Sequence, residues 1–120
     1  LAMGLLSGRY DAGTVLPSED VRASNQTWIA YFEDGRPNPE LLAQREAVSE
    51  LLQSGGRALV QGALCWLWAK SAQNVPLPGA RRPEQISESA GAGAYGPLPA
   101  AVMAEIEALI PRRIEPDRDR

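Results

Sequence analysis

Apolar positions recur at helical spacing in four stretches of this chain, and Gly, Pro and polar residues separate them. The clearest stretch begins at Asn38. Asn38 can cap, Pro39 suits a first helical position, and Glu40 favours the positive end of a helix dipole. Leu41, Val48, Leu51 and Leu52 then share a face, with Gln44, Glu46 and Glu50 largely off it, and Ser54-Gly55-Gly56 ends the run. This spacing predicts a helix over 39–53. Residues 58–70 predict a second helix, apolar on most sides and therefore expected to be buried on more than one face, with Trp66 and Trp68 as packing residues. A third, over 83–90, opens on Pro83 and stops at Gly91–Gly93. A fourth, over 99–110, places Val102, Ile106, Leu109 and Ile110 on its apolar face and ends at Pro111.

The intervening stretches read differently. Residues 1–10 are apolar and punctuated by glycine, as at the end of a buried strand running into a turn. Residues 11–37 carry scattered Asp, Gly, Pro, Ser and Asn with little periodicity, which makes a long loop; loops beyond about 12–15 residues are usually functional or disordered. Pro76 and Pro78 exclude helix, because each forces extended backbone before it, so 74–77 is expected to be a short strand. Residues 112–120 are of mixed charge and read as a frayed tail. No internal repeat is present.

Composition narrows the chemistry. The 120 residues contain no His and one Cys. A His-based triad and zinc-finger spacings are therefore excluded, and no metal site is expected. Cys65 alone forms no internal disulfide, which permits a reduced compartment, and a cytoplasmic location is expected. Twelve Lys and Arg against fifteen Asp and Glu leave a net charge of −3, without the basic footprint of a nucleic-acid binder. No apolar run approaches the roughly 20 residues of a membrane helix, and no signal-peptide pattern opens the chain. The first residue is Leu1, with Met3 close behind, and the chain is expected to be a piece of something longer.

The junction Pro76–Ser89 is the informative motif: strand, glycine turn, two arginines, helix. A helix N-terminus offers unpaired N–H groups and partial positive charge. Gly79 permits close approach to the backbone, and Arg81 and Arg82 add forked cationic donors suited to phosphate. Gln85 and Glu88 lie one to two turns into the helix. The pattern alone admits two readings: an anion site, or a surface turn with two solvated arginines.

The segment Val75-Pro76-Leu77-Pro78-Gly79-Ala80-Arg81-Arg82-Pro83-Glu84-Gln85-Ile86 resembles the C-terminal cofactor-binding segment of the aldo/keto reductases. Leu1-Ala2-Met3-Gly4-Leu5-Leu6-Ser7-Gly8-Arg9-Tyr10 is similar to that family's loop after the seventh barrel strand. Ala63-Leu64-Cys65-Trp66-Leu67-Trp68-Ala69 resembles its buried helix before the eighth, and Ala104-Glu105-Ile106-Glu107 its closing helix. Order and spacing agree from residue 1 to about 110.

The resemblance implies an α/β fold, the C-terminal fragment of a (β/α)8 TIM barrel with its site at the C-terminal face. It implies an NADP(H)-dependent oxidoreductase that reduces a small-molecule carbonyl substrate by hydride transfer. By the same resemblance, Gly79, Ala80 and Arg81 or Arg82 surround the 2′-phosphate. Gln85, Glu88 and Ser89 reach the phosphate edge and the adenine, and Leu1, Gly4, Ser7 and Arg9 line the pyrophosphate. Ser89 stands where the family usually carries Asn and offers fewer hydrogen bonds. Pro99 stands where the family often has a capping Thr or Ser, and Arg9 where Lys is common.

The family's catalytic Asp, Tyr, Lys and His come from the first half of the barrel. This chain is expected to lack them and to be inactive alone. Tyr10, Tyr31 and Tyr95 are not expected to be acids, since a general acid needs a positioned substrate and a tuned pKa. Trp28, Tyr31 and Phe32 are candidate walls of an apolar substrate pocket, or packing residues of the long loop. Two other roles compete: a non-catalytic nucleotide-binding or regulatory module of the same fold, and a small helical protein without a ligand.

Overall fold

The side chain of Asn38 caps the first long helix: its Oδ1 accepts from the N–H groups of Glu40 at 3.0 Å and Leu41 at 3.2 Å. That helix, α1, covers Pro39–Leu52 in a computed structural model that describes residues 1–110. Three more follow: α2 (Leu59–Lys70), α3 (Pro83–Gly91) and α4 (Ala100–Leu109). Each lies within a residue or two of its expected bounds. The helix-stopping Pro111 and the charged tail lie outside the described residues. The chain divides into two units, Leu1–Glu46 with residues 109–110, and Ala47–Ala108.

In the second unit the core is Val48, Leu52, Leu64, Cys65, Ala92, Leu98 and Ile106. The close approach that makes this core possible is at Gly62, whose backbone lies against the carbonyl of Leu52. Gln61 ties two helices: its Oε1 accepts from Ala58 N–H at 2.9 Å at the start of α2, and its Nε2 donates to Glu88 O in α3 at 2.9 Å. Leu98 N–H donates to Cys65 O at 3.1 Å, so the approach to α4 is held by α2 even though Pro99 brings no side-chain cap.

Helix α2 is less buried than its composition predicts. Gly62, Leu64 and Cys65 are buried, whereas Trp66 and Trp68 are only partly buried. Lys70 Nζ stands 5.2 Å from the ring centroid of Trp66 while paired with Glu107. Apolar composition reports what a helix can bury; the neighbours decide what it does bury.

The expected strand at 74–77 is not formed. Residues 74–78 pair with no strand among the described residues, and Val75 and Leu77 are 82% and 91% exposed. Pro76 and Pro78 have no N–H to give, and a parallel strand needs neighbours to take its carbonyls. Asn74 instead turns the chain off α2, its Nδ2 donating to Leu67 O at 2.6 Å.

The first unit departs from the sequence reading at both ends. Residues 1–10 are not the end of a strand: Ala2–Ser7 form a kinked 3₁₀ stretch in which Ala2, Met3 and Gly4 all have positive φ, at 49°, 53° and 95°. The long stretch 11–37 is not all loop. Phe32–Glu33 (β1) and Arg36–Pro37 (β2) pair antiparallel, Phe32 opposite Pro37 and Glu33 opposite Arg36. Asp34 and Gly35 turn the hairpin with φ of 49° and 71°, the left-handed pair a two-residue turn requires. Leu5, Ile29 and Phe32 form this unit's core.

Candidate functional site

In the second unit an open groove of about 400 Å³ lies over α2 and α3. Its wall from α2 is Leu64 and Trp68, four residues apart and therefore on one face. Pro76 and Pro78 contribute from the connection. Ile86, Ser89, Ala90 and Gly93 lie at positions i, i+3, i+4 and i+7 of α3 and the turn beyond it, a single stripe. Ala80 completes the lining. The surface is mainly carbon, with the Ser89 hydroxyl as its polar side chain.

Of the second unit's sequence-predicted residues, Ala80 and Ser89 are the two brought together in this groove. Ser89 is 9% exposed and is the buried polar residue of the unit. Gly79 is exposed, does not adopt positive φ, and a Cβ there would meet nothing within 4 Å, so the backbone is open to approach. Arg81 and Arg82 are exposed, and neither guanidinium has an acceptor among the described residues. Glu88 is exposed and takes part through its carbonyl, which Gln61 holds.

Gln85 has a structural task that its sequence position did not announce. Its Oε1 accepts from the N–H of Arg81 at 2.8 Å and of Arg82 at 3.2 Å. This changes the anion reading of the helix start. Pro83 has no N–H, Gln85 N–H is bonded to Arg82 O at 3.1 Å, and the two preceding N–H groups are spent on the Gln85 amide. Of the first donors at this end the Glu84 N–H is left, so most of the positive charge resides in the two guanidinium groups. Gln85 shapes the turn that carries them.

The groove walls Leu64, Trp68, Pro76, Pro78 and Ile86 were not singled out as binding residues from sequence. The signals were present: an i,i+4 pair, a Pro-x-Pro alternation, and an i,i+3,i+4,i+7 stripe. The same spacings also describe ordinary core, so pattern alone could not assign them.

In the first unit, the predicted residues Leu1, Gly4, Ser7 and Arg9 lie on one kinked segment. Gly4 N–H donates to Leu1 O at 3.0 Å, and Ser7 Oγ donates to Gly4 O at 2.5 Å. The Ser7 proton is thus turned back to its own backbone. Arg9 is exposed. Gly4 is required by its φ and by Tyr10, whose Cε2 would lie 2.9 Å from a Cβ.

Tyr10 belongs to a packed cluster. Its ring meets Phe32 edge to face at 5.6 Å, and Arg45 donates to its carbonyl. Arg22 donates to its hydroxyl at 2.7 Å and forks onto Asp20. The Arg22 side-chain hydrogen bonds, followed by its backbone N–H, hold the Asp20 carboxyl down at about 2. The Asp20 and Tyr10 hydrogen bonds push the Arg22 guanidinium above its ordinary value. Phe32, 3% exposed, is taken up by this packing and is no substrate wall. Trp28 is 51% exposed, with its indole N–H on Gln26 Oε1 at 3.2 Å, and Tyr31 is half-buried. In the second unit the Tyr95 hydroxyl donates to Gly56 O at 3.1 Å.

No helix among the described residues is long and apolar enough to cross a membrane. No solved structure matches the chain. The sequence model of the aldo/keto reductase family matches residues 1–111 of the chain's 120. A match of that extent overturns the reading as an unrelated small helical protein: the chain belongs to the aldo/keto reductase family of oxidoreductases.

Proposed function

We propose that this chain is the C-terminal, cofactor-binding part of an NADP(H)-dependent carbonyl reductase built on a (β/α)8 barrel, acting in the cytoplasm. The observation that carries the proposal is the apolar groove bounded by Ala80 and Ser89, continued in sequence by two exposed guanidinium groups without acceptors among the described residues. An adenine ring is flat and apolar on its faces, which suits the Ile86–Ser89–Ala90 stripe opposite Trp68. A 2′-phosphate is a dianion, which suits forked cationic donors. The residues present fit this group, with the Gln85 amide oxygen holding the arginine turn.

Arg81 and Arg82 bind the 2′-phosphate, and open backbone at Gly79 admits it. Ser89 offers one hydroxyl to the adenine. Glu88 lies on the exposed side of the same helix. Leu1, Gly4, Ser7 and Arg9 serve the pyrophosphate; Ser7 does so after turning its hydroxyl from Gly4 O, and Arg9 supplies charge. The cofactor, when bound, supplies the hydride for a small-molecule carbonyl substrate. No residue of this chain is assigned as proton donor. The Tyr10 hydroxyl is held by Arg22 and the Tyr95 hydroxyl by Gly56 O. The chain alone is therefore inactive in this reading.

The test is a binding titration on the full-length protein. The double variant Arg81→Ala, Arg82→Ala weakens NADPH by at least about tenfold, the loss expected for charge-assisted bonds, and leaves NADH affinity nearly unchanged. NADPH binding equal to that of the unaltered protein overturns the assignment.

A further inference from the structure

Three consecutive residues, Ala2, Met3 and Gly4, lie in the left-handed region, two of them without glycine's freedom. Such a run persists only where its surroundings hold it. The surroundings here converge on Arg22, which sits in a separate 3₁₀ turn, Val21–Ala23. Its Nη1 donates to Met3 O at 3.1 Å and to the Tyr10 hydroxyl at 2.7 Å. Its Nε and Nη2 fork onto Asp20 at 2.9 and 2.7 Å, which fixes the plane of the guanidinium. Its Cζ lies 5.0 Å from the Tyr10 ring centroid and 5.4 Å from that of Phe32. The side chain is 19% exposed. Tyr10, held this way, closes the space over Gly4.

We propose that Arg22 is a positioning residue for the dinucleotide. It clamps the left-handed turn Ala2–Gly4, and so pre-forms the segment Leu1–Arg9 for a pyrophosphate; this rests on the NADP(H) reading above. Asp20 orients the clamp, and Tyr10 is its second jaw. A segment ordered before binding spares the ligand the cost of ordering it. Loosening the clamp therefore weakens a ligand that engages the segment and spares one that does not.

The experiment compares NADPH with adenosine 2′,5′-bisphosphate, which has the adenosine end but no bridging pyrophosphate or nicotinamide, on the full-length protein. Arg22→Lys keeps the charge and loses the fork; it weakens NADPH about tenfold and leaves the bisphosphate unchanged. Tyr10→Phe keeps the ring and loses the acceptor; it weakens NADPH about threefold with the same selectivity. Amide hydrogen exchange over residues 2–9 is faster in both variants. Unchanged NADPH affinity, or equal loss of both ligands, overturns the proposal, and Tyr10→Phe decides alone if Arg22→Lys does not fold. An unaltered protein that binds neither ligand overturns the NADP(H) reading itself, and this one with it.

Discussion

Gly62 and Leu52 touch through their backbones: a Cβ on Gly62 would lie 1.8 Å from the Leu52 carbonyl oxygen and 2.5 Å from its carbonyl carbon. Leu52 ends α1 and Gly62 is in the first turn of α2, so this contact sets how α2 leaves the loop between them. Backbone cannot give way as the tip of a flexible side chain can. Gly62→Ala therefore destabilises the protein by about 2–4 kcal/mol, despite alanine's better helix propensity. A denaturant midpoint unchanged or raised in this variant would show that the contact does not constrain the fold.

Gly35 makes the corresponding demand in the hairpin. Its φ is 71°, and a Cβ would lie 2.9 Å from Leu16 O and 3.2 Å from Ala23 Cβ. Leu16 N–H also donates to Gly35 O at 2.9 Å, so the hairpin turn and the earlier loop are joined at this residue. Gly35→Ala costs about 1–3 kcal/mol, through the left-handed backbone and the crowding. Equilibrium unfolding of the variant measures it, and a loss below about 0.5 kcal/mol contradicts the geometry.

Acid tests the Asp20–Arg22 fork. The folded carboxyl titrates at about 2, below the ordinary value near 4 of an unfolded Asp. A group depressed on folding stabilises the native state fully above its unfolded pKa, and that contribution fades as pH falls through its folded pKa. Asp20→Asn is accordingly less stable than the unaltered protein near neutral pH, and the gap narrows between about pH 4 and pH 2. Denaturant midpoints across that range give the result; a gap independent of pH removes the carboxylate from the account.

These sites also show where the sequence was legible. Asn38-Pro39-Glu40 carries its own cap, start and dipole match, and α1 begins there because each signal is local. Ile106, expected on the apolar face of α4, is 1% exposed. Asp34-Gly35 is equally local, a strong two-residue hairpin signal, yet it is easily lost in a stretch with so few apolar residues to alternate around it. The candidate site was legible in part. The run Gly79–Ser89 is recognisable as a motif, but the hold of the Gln85 amide oxygen on the arginine turn is not. An amide offers both donor and acceptor, and composition does not say which neighbour takes them.

The sequence by itself determined the helices, their starts at Pro39 and Pro83, the absence of histidine chemistry, and the family. All of these depend on residues within a few positions of one another, or on order along the chain. Tertiary structure decided the rest. It left 74–77 unpaired, because a strand exists only with a partner for its carbonyls. It left Trp66 and Trp68 partly exposed, buried Phe32 against Tyr10, and brought Leu64, Pro76 and Ser89 to one groove. It also set Arg22 on Met3, nineteen residues away in sequence. Contacts of that kind carry no local signature, because either residue could have met another partner, and only the packed chain selects which.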